Sequence, residues 1–457
     1  MKKKVIALLL SSVMAVSMLA GCGSQANNQA AADVPATEEA PAAEEPAAEA
    51  PATEEASGEP VTIKLFSNLP DRKNGQGLVE QTVIDEYMDA NPHVTIEVEA
   101  LDEEAYKTKF KAYAMDGMPD VVSIWGQPSF LDEVLEAGVL AELNESDYAD
   151  YQFVSGSLEG FKKDGSLYGL PRNTDIAVFY YNQKMFEDNG WELPTTYEEL
   201  LELSKTIKAA GTTPVAMDGG DGWPMAIFLT DLMVRVNGDC SSIISNAIAN
   251  GDFSDPVFQK ATQLLIDSAD AGMFQNGFAT QDYGTAMNLF TNGQAAMFYM
   301  GSWEGSMALN EDISEDIRTN IRAFTMPGLA DGSGGKQSDI AAWNGGGYAV
   351  SAQSEVKAEA IKFLNYLYQP DKLSKYGWEN GVGMSAQDQT AYMSGSETEL
   401  QLQFVDILKS ATSVAGTPLN DCGPGRFKEV IEGQIQSVAT GQISIDEFLT
   451  LLGEACQ

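Results

Sequence analysis

From Val61 onward the chain alternates between two apolar patterns that belong to different secondary structures, and this alternation confines it to an α/β architecture. Strand-like runs at Val61 to Phe66, Val94 to Val98 and Val121 to Ile124 take turns with helical faces at Leu78 to Met88, Glu103 to Met115 and Phe130 to Ala137. A second block follows Leu167 to Leu170. It has strands at Ile176 to Tyr181, Pro214 to Met217 and Ala295 to Met300, with helices near Pro224 to Val236, Pro256 to Ala271 and Gln281 to Phe290. Thr196 and Glu199 are spaced as a capping box for a further helix running to about Ala210. A third block, Ile321 to Tyr368, reads as two strands and a helix from Val356, and helices near 400–408, 427–438 and 445–452 finish the chain. Such alternation predicts a mainly parallel sheet with helices on both faces.

Ahead of this stretch, Lys2, Lys3 and Lys4 precede an apolar run from Val5 to Leu19 that ends in Leu19, Ala20, Gly21 and Cys22. The run is a secretory signal, too short to span a membrane. It resembles a bacterial lipoprotein signal, which implies that Cys22 becomes a lipid-bearing amino terminus. The expected location is the extracellular face of a cell membrane, with the lipid as the only membrane contact. Gly23 to Pro60 is almost entirely Ala, Pro, Glu, Thr, Ser, Gln, Asn and Gly, without Lys, Arg or an aromatic residue, and is expected to be a disordered linker. Fully extended, it would reach about 115 Å. A spacer of that length favours a single-membrane, Gram-positive bacterium.

Composition narrows the partners. The chain has 67 acidic and 27 basic residues, and a surface of that sign repels nucleic acid phosphates and anionic lipid headgroups. Beyond Cys22 there are three widely spaced cysteines, Cys240, Cys422 and Cys456, which do not form a disulfide framework. Cys422 and Cys456 are open to pairing outside the cell or to remaining buried thiols.

The motifs of catalysis are missing. The single histidine, His93, lies in a turn before a strand, which excludes multi-histidine metal sites and argues against a Ser-His-Asp triad. No GxSxG elbow occurs. Gly332 to Lys336 imitates a phosphate loop, but Ala330 stands where the first glycine is needed and Gln337 where Ser or Thr is needed. Met217 to Gly222 lacks the oxygen spacing of a calcium-binding EF-hand loop. No metal site, cofactor or enzyme activity is therefore expected.

Three stretches carry a family resemblance. The first runs from Tyr168, Gly169, Leu170, Pro171 through Ile176 to Phe179 and Tyr180, Tyr181, Asn182, Gln183, Lys184, Met185, Phe186 to Leu193, Pro194, Thr195, Thr196 and Tyr197. The second is Phe290 to Phe298 followed by Gly301, Ser302 and Trp303, and the third is Pro119 to Trp125. In order and spacing these resemble the family 1 extracellular solute-binding proteins of carbohydrate ABC importers, the group that includes maltose-binding protein. The resemblance covers essentially all of residues 61–457. It implies a two-lobed, periplasmic-binding-protein-like α/β fold of type II, with the ligand cleft between the lobes. Lobe one is expected at 61–170 plus 328–370 and lobe two at 171–327 plus 371–457, with crossovers near Pro171 to Asp175, Thr325 to Pro327 and Tyr368 to Leu373. It further implies a monomer that captures a mono- or oligosaccharide by hinge closure and delivers it to an ABC transporter permease. The alternatives are a non-carbohydrate solute such as a glycerol phosphodiester or a polyamine, a surface glycan-degrading enzyme, and an adhesive lipoprotein.

Sugars present apolar C–H faces and a rim of hydroxyls, so the candidate contacts are aromatic platforms and planar polar groups. Trp125 directly follows the strand 121–124, at the end where open α/β sheets bind ligands. Trp303, after the Gly301–Ser302 turn, matches a stacking position of the family. Asn68, Asp71 and Arg72 occupy the loop after the first strand, as ligand contacts or as an ordinary solvated loop. Asp175 matches an acidic ligand residue of the maltose-binding branch. Arg172 and Asn173 beside it are ligand contacts or hinge hydrogen-bonders. Trp223 lines lobe two or packs within it. Trp343 and Asn344 precede three glycines, Gly345 to Gly347, that permit close backbone approach or form a bulge. Glu304 and Met384 are secondary candidates, and Trp191 and Trp378 read as structural.

Overall fold

The computed structural model describes residues 58–414 and 416–457, so Cys22, the signal segment and nearly all of the linker lie outside the described residues. In chain order, β1 (Val61–Ser67), α1 (Gly75–Ala90), β2 (Val94–Ala100), α2 (Glu103–Asp116), β3 (Val121–Trp125) and α3 (Pro128–Glu136) lead to the short β4 (Leu170–Pro171). The chain then enters β5 (Asn173–Asn182), α4 (Tyr197–Ala209), β6 (Thr213–Ala216), α5 (Trp223–Asn237), α6 (Pro256–Asp270), α7 (Tyr283–Thr291), β7 (Ala295–Gly301), β8 (Ile321–Phe324) and β9 (Ala342–Asn344). It continues through β10 (Gly346–Val350), α8 (Lys357–Leu367), α9 (Leu373–Glu379) and β11 (Met384–Ser385) to α10 (Glu399–Ser410), α11 (Gly425–Ala439) and α12 (Ile445–Ala455). Most of the expected elements are present. At α4 the Thr196 hydroxyl accepts from Glu199 N–H at 3.1 Å while the Glu199 carboxylate accepts from Thr196 N–H at 3.3 Å, the reciprocal cap that the spacing predicts.

Two sheets form, each with its own core. The first has the strand order β2-β1-β3-β10-β4 and the second β8-β5-β7-β6, with β9 and β11 also paired to β5. Ile63, Phe66, Val122, Ile124, Tyr348 and Phe363 belong to the first core, and Val178, Tyr180, Phe228, Met297 and Phe298 to the second. The sheets are mixed rather than mainly parallel. In the first, β1, β2 and β3 run parallel and β10 is antiparallel to β3 and β4; in the second, β5 is antiparallel to β7, β8, β9 and β11. The reason is connectivity: β10 and β5 each arrive from the other lobe and enter their sheet from the hinge end.

The chain changes lobe at places that differ in part from expectation. The first passage from one sheet to the other is at Arg172, between β4 and β5. The second is at Gly345, between β9 in the second sheet and β10 in the first, rather than at Thr325 to Pro327. Residues 326–340 stay with lobe two because the buried Arg235 guanidinium donates to the Met326 carbonyl at 2.9 Å and to the carbonyls of Lys336 and Asp339. The third lies near Gly383 rather than at Tyr368 to Leu373, since Tyr368, Leu373 and Val382 pack in the first core while Met384 and Ser385 pair with Thr174 and Asn173 of β5. Lobe one thus gathers 61–171 and 346–382, and lobe two 173–344 and most of 384–457. Cys240, Cys422 and Cys456 are free thiols. The Cys422 thiol donates to the carbonyls of Thr417 and Pro418, and burial pushes its pKa up to about 12.

Candidate functional site

The crossings converge in one place. Gly345 N–H donates to the Asn173 carbonyl at 2.8 Å and Arg172 N–H to the Gly346 carbonyl at 2.8 Å, so two of the crossing strands are stitched side by side. Gly345 is needed for close approach: a Cβ there would stand 2.0 Å from the Asp175 carboxylate and 2.4 Å from the Asn173 amide. Asn173 donates its amide to Asp175, and the Arg172 guanidinium donates to the Tyr348 hydroxyl at 3.2 Å and lies over its ring at 5.4 Å.

Lobe two supplies an aromatic wall beside this junction. Trp343 on β9 is the cross-strand neighbour of Asp175 on β5. Its ring meets Trp303 at 6.2 Å, and Trp303 meets Trp223, the first residue of α5, at 5.9 Å. Tyr283 packs on Trp223 at 5.9 Å. Trp303 follows the end of β7, where Gly301 makes room for its ring; a Cβ at 301 would stand 1.9 Å from it. The Trp303 indole N–H donates to the Tyr283 hydroxyl at 2.9 Å, and Tyr283 donates to Glu304. Tyr283 lacks a distinguishing sequence signal; it reads simply as the capped start of α7.

Lobe one places Trp125 at the end of β3, edge-on to Tyr106 at 5.7 Å and Phe130 at 5.1 Å. Lys107 lies 5.7 Å from the centre of its ring. Gly346 is the strand partner of Trp125, which ties this platform to the crossing. Asn344 belongs to the same junction: its amide donates to the Ser157 carbonyl at 2.7 Å, and its carbonyl accepts from Gln127 at 2.8 Å.

The loop after β1 is largely engaged within lobe one. Arg72 donates to Gln81 at 3.1 and 2.9 Å and pairs with the buried Glu80, which also accepts from Ser67 and Tyr348. Asp71 accepts from the Lys73 and Asn74 N–H groups of its own turn at 2.9 and 3.2 Å. The Asn68 N–H donates to Ser123 at 3.3 Å, while its side-chain carbonyl oxygen is buried without a partner. Trp378 and Trp191 pack as structural residues: Trp378 is buried with its N–H on Glu397 at 3.2 Å, and Trp191 lies edge-on to Phe186 at 5.8 Å.

A model of the family described as bacterial extracellular solute-binding protein matches residues 73–372. The chain belongs to that family. Multiple sugar-binding protein of Streptococcus mutans serotype c is 24% identical over 331 residues, 70% of this chain and 74% of that protein. The sn-glycerol-3-phosphate-binding periplasmic protein UgpB of Brucella abortus is 26% identical over 196 residues, 41% of this chain and 43% of that protein. A structure solved in work on xylan utilization by the thermophilic bacterium Caldanaerobius polysaccharolyticus has a TM-score of 0.79 at 25% identity, covering 86% of this chain and 99% of the other. The two-lobed α/β fold expected from the sequence is thus a fold this solute-binding protein shares with solved relatives. Among the described residues no helix is long and apolar enough to cross a membrane.

The electrostatics of the junction are acidic. Asp175 is almost fully buried, and loss of hydration raises its pKa to about 7, against the lowering effects of Asn173 and Arg172. Glu103 of lobe one adds to the rise. Burial likewise raises Glu304, with the Tyr283 hydrogen bond opposing and the Asp71 charge reinforcing. Sequence reasoning missed a second charged group at the rim, where the lobes touch. Lys107 pairs with Glu103 at 2.7 Å and Glu104 at 2.9 Å; Lys428 of α11 pairs with Asp421 at 2.5 Å and Glu432 at 2.9 Å. The Ser129 hydroxyl donates to Asp421 at 2.8 Å across the lobes. Burial works against the Lys107 charge, but Glu103, Glu104 and, from lobe two, Glu432 outweigh it and raise the pKa.

Proposed function

We infer that this protein is the sugar-capturing receptor of an ABC importer. It takes a mono- or oligosaccharide between the lobes, closes about Arg172, Gly345 and Gly383, and hands the ligand unchanged to a membrane permease. The observation that carries this reading is the cluster of Trp223, Trp303 and Trp343 on lobe two, with Trp125 of lobe one tied to the same crossing through its strand partner Gly346. Flat indoles cover the C–H faces of a pyranose, while carboxylates and amides accept and donate at its hydroxyls. Of the remaining candidates, Asp175, Asn173, Arg172 and Asn344 sit at the crossing. Asn68, Asp71 and Arg72 edge the cleft from lobe one, where Arg72 acts by holding the loop to α1. The names of the Streptococcus mutans relative and the xylan-utilization structure support the carbohydrate class. The receptor acts as a monomer, tethered through lipid on Cys22 to the outer face of a single-membrane bacterium.

Ligand can bias closure only by its preference for the closed form, so binding raises the melting temperature. A thermal-shift screen of neutral mono- and oligosaccharides is expected to give a stabilising hit. Trp303→Ala and Trp125→Ala are expected to weaken that hit by at least about 100-fold and about 10-fold respectively, measured by calorimetry. Wild-type affinity in both variants would sink the assignment of the site, and cleavage products from an oligosaccharide would sink the transport reading.

A further inference from the structure

Two neighbouring residues at the first crossing each keep a buried polar atom with no hydrogen-bond partner among the described residues: the Arg172 Nε and the Asn173 side-chain carbonyl oxygen. The rest of each side chain is engaged. The Arg172 Nη1 donates to the Tyr348 hydroxyl at 3.2 Å, and the Asn173 amide nitrogen donates to Asp175. That nitrogen also faces Gly345, where a Cβ would stand 2.4 Å from it, so the Asn173 oxygen is turned away from this contact. Arg172 and Asn173 both line a cavity of about 20 Å³, whose other walls include Gln76 and Val79 of α1 and Gly383 and Ser385 of the third crossing. A space of that size holds a single oxygen-sized group. It adjoins the segment 302–308, which carries Trp303 and Glu304: a Cβ at Gly383 would stand 2.5 Å from the Ser302 carbonyl, and one at Gly75, next to Gln76, 3.0 Å from the Ser306 hydroxyl.

Resting on the sugar-receptor reading, we propose that this cavity is a subsite for one hydroxyl of the bound saccharide, which accepts from the Arg172 Nε–H and donates to the Asn173 oxygen. A buried donor and a buried acceptor left unpaired are each costly, and a hydroxyl is the smallest sugar group that both donates and accepts. One oxygen therefore gives both atoms the partner they lack. Specificity follows in two ways. A sugar without that hydroxyl leaves a donor and an acceptor unpaired in a site closed to water, which a hydrogen-bonding site rejects far more strongly than an apolar pocket rejects a missing methylene. A sugar with a methyl ether at that position has no proton to donate and is larger than the cavity. Because the walls belong to α1 and to the first and third crossings, the same hydroxyl ties lobe one to both strands about which the lobes turn.

The test is calorimetry on the full chain with D-galactose, xylotriose, maltotriose and N,N′-diacetylchitobiose, each beside its monodeoxy and mono-O-methyl forms. For a parent sugar that binds, the expected result is one hydroxyl position at which the deoxy and the methylated forms both bind at least about 10-fold more weakly than the parent. Asn173→Ala and Arg172→Met should each shrink that deoxy penalty by about threefold or more, since each removes one of the two partners. The wild-type series needs no variant, so a variant that fails to fold leaves the test intact. Similar penalties at every position, a penalty that persists in full in both variants, or a sugar-bound crystal structure with an ordered water in the cavity would overturn the inference while leaving sugar capture standing. Silence from all four parent sugars would remove the sugar reading and the inference with it.

Discussion

The two lobes offer a ligand unlike surfaces. On lobe two, Trp223, Trp303, Trp343 and Tyr283 touch one another and share the chain from the Trp303 indole through Tyr283 to Glu304. On lobe one, Trp125 stands at a strand end against Tyr106 and Phe130, with Lys107 across its face. The first surface is part of its lobe's core and is built before a ligand arrives. The second depends on a helix, α2, whose charged residues also look across to the other lobe. Preorganised aromatic area binds at low entropic cost, so on the receptor reading proposed above lobe two docks the ligand and lobe one responds.

That contrast predicts unequal costs of truncation. Trp303→Ala removes a ring wedged between two tryptophans and leaves the Tyr283 hydroxyl without its indole donor, and should destabilise the apo protein by about 3–5 kcal/mol in denaturant unfolding. Trp125→Ala should cost only about 1–2 kcal/mol, because its ring contacts are two edge-on neighbours and the Lys107 ammonium. Equal losses would break the distinction.

The crossing itself makes the next prediction. Asp175 titrates near pH 7 when folded against about 3.9 unfolded. A raised carboxyl pKa means that the native state holds the proton over the interval between the two values, so its contribution falls as pH rises from about 4 to 7. The loss is on the order of 4 kcal/mol. Asp175→Asn should therefore match wild type near pH 4.5 or be somewhat less stable, and gain on it steadily to pH 7.5 in paired melts. Asp231 and Asp218 shift the same way, so the informative quantity is the difference between the two proteins. A constant difference across pH would show that Asp175 is not buried in the apo state.

How much of this was readable beforehand follows from the range of each interaction. Local signals served well: Thr196 and Glu199 cap α4, and the strand before Trp125 ends where its apolar run ends. The mixed sheets escaped because strand direction is set by where the chain re-enters, which periodicity does not carry. The second crossing was placed near residue 326 instead of 345 because nothing local shows that Arg235, about a hundred positions away, gathers the intervening carbonyls. Among the candidate contacts, position after a strand or turn marks Trp125 and Trp303 in the sequence. Tyr283, Lys107 and Lys428 have no such marker, since their meaning comes from partners in other elements and, for the lysines, from the facing lobe. Arg72 shows the converse: a polar loop residue that looks available is spent on Glu80, a carboxylate buried beneath it.

The smallest effect expected is at the rim. Lys107 of lobe one, held by Glu103 and Glu104, also acts with Glu432 of lobe two, its side chain 18% exposed, and Lys111 meets Glu429 across the lobes at 3.4 Å. Ion pairs that form only when the lobes meet favour the closed form without touching the ligand, and partly exposed ones contribute about 0.2–1 kcal/mol each. Lys111→Gln should remove the Glu429 pair that bridges the lobes, and so open the apo protein slightly in solution scattering. It should weaken a neutral sugar by about threefold at low salt and by less at 0.5 M salt, where the wild-type pairs are themselves screened. If affinity for a neutral ligand changes equally at both salt concentrations, the rim lysines are packing residues and the lobes close on the aromatic surfaces alone.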